Sequence, residues 1–301
     1  MRTTQRKRFV NGSRSLISNE KLVAIHAAMV RCRMIRQRAE LLHQRGRLKS
    51  DICCLLGREA SSVAFAIDLQ PKDALSLPDK DLTPGLVNAA HLGNLFRALA
   101  EKCEDTLDGS VHLNNLNVVV ASNAVAQIAG VRELGLAAKR GKKGNIVLAF
   151  LAGMPESRSN WDAAMRFGGS KGLPVVFVAN GAWRATDEPG AQDALVNGIP
   201  AIVVDAADAV AVYRVASEAI ARARQGRGPT LVECIEMPDA ENLPTRVGGI
   251  HLQSSYRPSN DPELAMKDYL RQRGLWSEEN YRQCVSDIER ELDLATRFRN
   301  D

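Results

Sequence analysis

Long apolar runs are missing from this chain of 301 residues. None approaches the roughly 20 residues that a membrane-spanning helix needs, so no membrane span is expected. The opening MRTTQRKRFVNGSRSL is basic like the start of a secretory leader, but no apolar region follows it, and export is not expected. Cysteine is sparse and unpatterned. The six thiols at 32, 53, 54, 103, 234 and 284 show neither CxxC nor metal-type spacing. Adjacent Cys53 and Cys54 could not easily close a normal disulfide, which points to reduced thiols and a cytoplasmic setting. Aromatic residues are few, and the first 50 residues contain only Phe9. That removes the stacking surfaces a single-strand nucleic-acid binder needs. The phosphate-loop frame Gly-x4-Gly-Lys-Ser/Thr is also missing. Gly141-Lys142-Lys143-Gly144 precedes an apolar run instead of following one, and reads as a helix–strand turn. His91 and His112 have no ligand-type partners at recognisable spacing, so no metal site is expected there.

What is present is an ordinary soluble composition, 45% hydrophobic and 25% charged, with its charge unevenly spread. Residues 1–50 hold 13 Lys/Arg against Glu20 and Glu40, a net of +11; the whole chain is +5, so the remainder carries −6. Such a basic segment raises nucleic-acid binding as a rival function. The plainer reading places Arg31, Arg33, Arg36 and Arg38 on a solvated or partner-facing side of a helix. His26 and His43 on the same helix read as surface or interface residues.

Periodicity predicts helices over Asn19–Gly46, Arg58–Leu69, Asn123–Lys139, Trp161–Lys171, Ala209–Gln225, Pro262–Arg273 and Glu278–Arg297. Short continuous apolar runs at Val118–Val120, Ile146–Leu151, Val175–Val178, Ala201–Val204 and Thr230–Ile235 predict strands covered on both faces. Their alternation with helices predicts an α/β fold with a doubly wound parallel sheet, extended by helices at both ends. Residues 1–18 read as a basic tail and 19–301 as one domain. Leu82–Asn117 gives no clear pattern. Asp79, Asp81, Asp187 and Glu188 read as solvated loop acids.

The stretch from Asn145 to Asp187 carries the most information. Ile146–Leu151 and Val175–Val178 flank a helical segment, and each leaves on a Gly or Asn turn. Ligands in such sheets bind beyond the carboxyl ends of the strands. This unit resembles the thiamine-diphosphate motif in the α subunit of the first component of 2-oxo acid dehydrogenases, the pyruvate, branched-chain and acetoin type. That family ends the first strand in Gly-Asp-Gly and the second in Asn-Asn. Here Ala152-Gly153-Met154 and Asn180-Gly181-Ala182 stand in those places.

Further segments in order extend the resemblance over nearly the whole chain. Gly57-Arg58-Glu59-Ala60 looks like the family's Gly-Gln-Glu-Ala helix start, after a long first helix. Asn197-Gly198-Ile199-Pro200, Asp208–Gln225 and GRGPTLVECIE resemble the strand, helix and strand that follow the motif. Asp261-Pro262-Glu263 through Trp276-Ser277-Glu278 is similar to the family's helical end.

The family's cofactor is thiamine diphosphate, held largely through Mg²⁺, a hard cation that wants oxygen ligands in near-octahedral array. The resemblance implies cofactor-binding roles at Gly153, Asn180 and Lys80. Gly153 offers no side chain where the family's carboxylate belongs. An ungapped match sets Gly181 and Ala182 against the two Asn, and a one-residue shift brings in Asn180. Lys80 is the only cation where the family has a Tyr-Arg pair. The family's Gly-His-Ser loop, whose His lies near the reacting centre, corresponds to Gly248-Gly249-Ile250-His251-Leu252, with one extra residue before the candidate catalytic His251. The expectation is therefore an α-subunit-like chain that binds neither cofactor nor metal and keeps the assembly, as a homo-oligomer or with a β-type subunit. A working thiamine-diphosphate component with a β-type partner is the alternative.

Overall fold

The computed structural model describes residues 17–49, 58–78, 81–87, 92–93, 96, 109–113, 116–121, 123–141, 143–151, 158–180, 195–235 and 261–297. In chain order the elements begin with α1 (Asn19–Gln44), α2 (Glu59–Ala66), β1 (Ala74–Pro78), α3 (Thr83–Val87), β2 (Gly109–Leu113) and β3 (Leu116–Ala121). Next come α4 (Ala124–Gly141), β4 (Val147–Phe150), α5 (Arg158–Lys171), β5 (Val175–Asn180) and β6 (Leu195–Val196). The last are β7 (Ile199–Asp205), α6 (Ala209–Arg224), β8 (Thr230–Ile235), α7 (Pro262–Gln272) and α8 (Glu278–Ala295).

The strands form one sheet in the order β2-β3-β1-β4-β5-β8-β7-β6. The six inner strands are parallel, and β2 and β6 close the two edges antiparallel. The doubly wound parallel sheet expected from the sequence is therefore present. Its two faces are sorted by the period-2 alternation of strand side chains. Leu148, Phe150, Val176, Val178 and Val232 pack with Phe65 of α2 and with Val212 and Ala216 of α6. Val147, Ala149, Val175, Phe177 and Leu231 pack on the other face with Val131 of α4 and with Trp161 and Met165 of α5.

Three strands escape the sequence reading. β1 is a central strand, flanked by β3 and β4, although Ala-Leu-Ser-Leu-Pro is short and ends in proline. Pro78 is tolerated because it is the last residue of the strand, paired in register with Ala121. β2 lies in the stretch that gave no pattern. β6 pairs with β7 through an Asn197-Gly198 turn whose residues both have positive φ, 54° and 78°. Asn and Gly are the residues that accept such a turn readily. The Asn197 side chain also donates to Asp162 Oδ1 (2.6 Å) and accepts from Arg166 (2.8 Å), tying the hairpin to α5.

A third core holds the ends of the chain together. Leu22, Ile25, Met29 and Ile35 of α1 pack with Met266 and Leu270 of α7 and Ile288 and Leu292 of α8. α1 begins at an N-cap, Ser18, whose side chain accepts from the Lys21 N–H. Its arginines do not form the solvated or partner-facing stripe expected from sequence. Arg31 forks onto Glu291 (2.7 and 3.0 Å) and donates to the Leu86 carbonyl; Arg38 reaches Asp293 at 2.7 Å. Arg36 lies 3.5 Å from Glu40. His26 is also buried, with Nε2 3.0 Å from Glu263 Oε1. Acids on the C-terminal helices attract the cations of α1 and turn its basic face inward.

Arg33 is the centre of this contact. Its guanidinium donates to Glu59 Oε1 at 3.1 Å, to both oxygens of Asp261 at 3.0 Å, and to Glu263 Oε2 at 3.3 Å. Asp261 also caps α7, accepting from the N–H groups of Glu263 and Leu264. Burial alone would raise the Asp261 carboxyl, but the Arg33 and backbone hydrogen bonds outweigh it and hold it below the usual carboxylate range. An acid with a depressed folded pKa adds stability that is present above its unfolded pKa and is lost as pH falls through the folded one. Removing one member of a buried charge cluster leaves the others uncompensated, at a cost of about 3–5 kcal/mol. Arg33→Met is therefore expected to lower unfolding stability by about that much at neutral pH, measured by urea denaturation. The deficit should shrink as the solution is acidified below the normal carboxylate range. A neutral-pH loss under about 1 kcal/mol would show that the cluster does not hold the helices.

Candidate functional site

Because the inner strands run parallel, β1, β4, β5 and β8 all leave the sheet at one edge. That is where such sheets bind ligands. Of the four site residues expected from sequence, Asn180 falls within the described residues, at the end of β5. Gly153, Lys80 and His251 lie outside them.

Asn180 stands against α2. Ser61 Oγ is 3.0 Å from Asn180 Oδ1 and 3.1 Å from the Arg58 carbonyl, so its one proton is shared between two acceptors. Asn180 also hydrogen-bonds to Asp81, just past β1. An ionised carboxylate only accepts, so Asp81 must face the NH₂ of Asn180, which leaves Oδ1 for Ser61. Asp81 Oδ1 further accepts the Thr83 N–H at 3.2 Å, opening the short helix α3. Three elements, α2, β5 and the β1 exit, are thus joined through one carboxamide.

Asp81 is 3% exposed, which corrects its reading as a solvated loop acid. Burial raises its carboxyl above the usual range, against opposing pulls from its bonds to Thr83 and Asn180 and from the nearby Arg58 guanidinium. The sequence did contain a signal: Asp-Leu-Thr-Pro sets a short acceptor two residues before a Thr-Pro helix start. Arg58, the residue that precedes α2, also acts on Cys234, the register partner of Asn180 on β8. Burial lifts the Cys234 thiol to about 12, so it is protonated at neutral pH and is not a nucleophile. At β4 the fully buried Gln127 of α4 donates to the Phe150 carbonyl at 2.6 Å and fixes the strand exit. Sequence reasoning assigned no role to Ser61, Arg58 or Gln127. Ser61 and Gln127 act by contact with strands distant in sequence, and Arg58 by its charge on Asp81 and Cys234. Among the described residues no group of three or more His, Cys, Asp or Glu is placed to hold a metal ion.

Asp81→Asn keeps the acceptor for Thr83 and removes the buried charge. A buried acid with a raised folded pKa favours the folded state most while protonated, and that contribution falls as pH rises from the unfolded pKa through the folded one. The variant is therefore expected to be more stable than the parent at pH 7, by about 1 kcal/mol, with the gain vanishing on acidification. Thermal melts across pH test this. Destabilisation at pH 7 would mean that the charge on Asp81 is needed for folding.

Comparison with known proteins agrees with this architecture. The family model described as Dehydrogenase E1 component matches residues 26–300. The pyruvate dehydrogenase E1 component subunit alpha of Bacillus subtilis (strain 168) is 27% identical over 297 residues, covering 93% of this chain and 78% of the relative. The proteins of the same name from Staphylococcus epidermidis and Bacillus cereus are each 28% identical, over 295 and 297 residues, with the same coverage. A family match spanning nearly the whole chain, on a six-stranded parallel sheet flanked by helices, places this chain in the dehydrogenase E1 component family as an α-subunit-like member.

Proposed function

We propose that this chain is an α-subunit-like scaffold of a 2-oxo acid dehydrogenase assembly whose own cofactor site is eroded. The observation that carries the reading is the state of Asn180. Its oxygen accepts from Ser61 and its NH₂ faces Asp81, so the carboxamide is engaged within the chain. Mg²⁺ needs oxygen donors in near-octahedral array and usually at least one carboxylate. Gly153, at the family's carboxylate position, has no side chain to give. These residues do not fit a metal-held diphosphate. Lys80 and His251 keep their proposed family positions, as a cation near the diphosphate and a histidine near the reacting centre, without the metal anchor that would use them.

Loss of the anchor leaves an assembly role intact, because different residues serve it. On α4 the face containing Val125 (66% exposed), Ala126 and Ala129 is open to solvent, while Gln127, Val131 and Gly135 pack inward. Gly130 sits close against β3, 3.7 Å from the Val119 side chain to an added Cβ. An open apolar strip of small residues permits close approach of another subunit, either a β-type chain or a second copy. No helix among the described residues is long and apolar enough to cross a membrane.

The alternative, a working component, draws on Asn180 and Asp81 lying side by side at the ligand-binding edge. A turnover assay with a 2-oxo acid, Mg²⁺, thiamine diphosphate and a co-encoded β-like chain separates the two, with activity expected at background. Light scattering at micromolar concentration is expected to give a mass well above 32.8 kDa, alone or with that chain, and Ala129→Arg should lower it without changing the melting temperature. Turnover above background would overturn the eroded-site reading. A monomer in both conditions would overturn the assembly role.

A further inference from the structure

The opposite edge of the sheet carries a separate surface. The connections entering β1, β4, β5 and β8, four neighbouring strands, all lie at the amino edge. They touch one another. Arg224 donates to the Gly144 carbonyl at 3.0 Å, Lys139 Nζ donates to the Lys171 carbonyl, and a Cβ at Gly228 would lie 3.8 Å from Gly172 Cα. Lys72, Lys139, Arg140, Lys143, Lys171 and Arg227 are exposed around these turns, and Arg222 is half-buried beside them. None of the seven makes an ion pair among the described residues. The neighbouring acids do not neutralise them. Asp73 is fully buried and held by both Arg224 nitrogens at 2.6 and 3.0 Å, while Asp68 is paired with Lys21. Glu218, one turn before Arg222, makes no ion pair with it.

Cations at helix C-termini ordinarily complement the helix dipole, and three helices (α4, α5 and α6) end here. Each end is worth roughly −0.5 charge, about −1.5 together, against seven positive charges. Capping accounts for only a minor part of the patch.

We propose that this amino edge docks an acidic segment of a partner protein. The rim spans three strand spacings, about 14 Å, which matches about four residues of extended chain or nine of helix. A short run of Asp/Glu fits it. Nucleic acid fits less well: the turns at 71–73, 141–146, 172–174 and 225–229 contain no aromatic residue on which bases could stack. Beyond residue 50 the chain nets −6, which repels a long polyanion, whereas a short one at the rim lies within a Debye length (about 8 Å) of the cations. This surface is independent of the carboxyl-edge site, so it stands whether or not cofactor binds there.

The test is fluorescence anisotropy of the full chain with a labelled Glu-rich peptide of about twelve residues, at about 50 mM salt. Binding is expected, weakening steeply with salt. The triple variant Arg140→Glu/Lys143→Glu/Arg227→Glu should raise Kd at least about tenfold, and Lys143→Glu alone about threefold should the triple variant fail to fold. Arg282→Glu/Arg290→Glu on the exposed face of α8 should change Kd less than about twofold. Absence of binding, or equal loss in the α8 control, overturns the proposal. So does a short DNA duplex that binds more tightly than the peptide and loses affinity in the same triple variant, since the face would then belong to nucleic acid.

Discussion

One guanidinium closes this fold. Arg33, just past the middle of α1, reaches Glu59 at the start of α2 and Asp261 and Glu263 at the start of α7. Residues 33 and 261 stand at opposite ends of the chain, and the apolar core that α1 and α7 share holds no residue of the described strands. Arginine suits the place because its planar fork meets Asp261 with two parallel bonds and still has Nε for Glu59. A lysine would supply one point of charge and lose that geometry. Such a cluster adds little net stability compared with apolar packing of the same volume, since desolvation of the charges offsets their attraction. Its contribution is position: a wrong docking of the helices would separate buried Glu59 and Glu263 from the guanidinium they share.

Position is then passed on. With Glu59 fixed, α2 presents Ser61 two residues later to Asn180, and Phe65 one further turn along to Phe150 in an edge-on contact of 6.2 Å between ring centroids. The ends of the chain thereby determine what stands at the carboxyl edge of the sheet. Of the candidate site residues, Asn180 is the one among the described residues that takes part in this framework. A family architecture persists around a carboxamide bonded to its own chain.

The buried strands were legible because both faces of the sheet are covered, so their sequences are unbroken apolar runs. Helices with strong stripes were legible too, and in the structure Asp261 and Ser277 cap the last two of them. β1 was not, since Ser76 and Pro78 interrupt its pattern and only its two neighbours make it a strand. The β6–β7 turn carried its signal in Asn197-Gly198, which reads as a hairpin once a two-residue partner strand is allowed. The arginines of α1 show the limit of reading one helix alone. Nothing in their spacing names Glu291, Asp293 or Asp261, more than two hundred residues away, as their partners. Asp81 was misjudged for the same reason, because its burial is produced by α2 and β5. At the site, sequence singled out Asn180, while the residues that engage it emerged only from the fold, and Gly153 lies outside the described residues.

A carboxyl edge eroded as proposed would hold no metal-bound diphosphate. Calorimetric titration of the full chain with Mg²⁺ and thiamine diphosphate, alone and in the presence of a co-encoded β-like chain, tests it most directly. No saturable heat is expected at micromolar concentrations, where a Kd of 1 μM corresponds to about −8 kcal/mol. Stoichiometric binding in the low micromolar range, dependent on Mg²⁺ and abolished by Asn180→Ala, would contradict it.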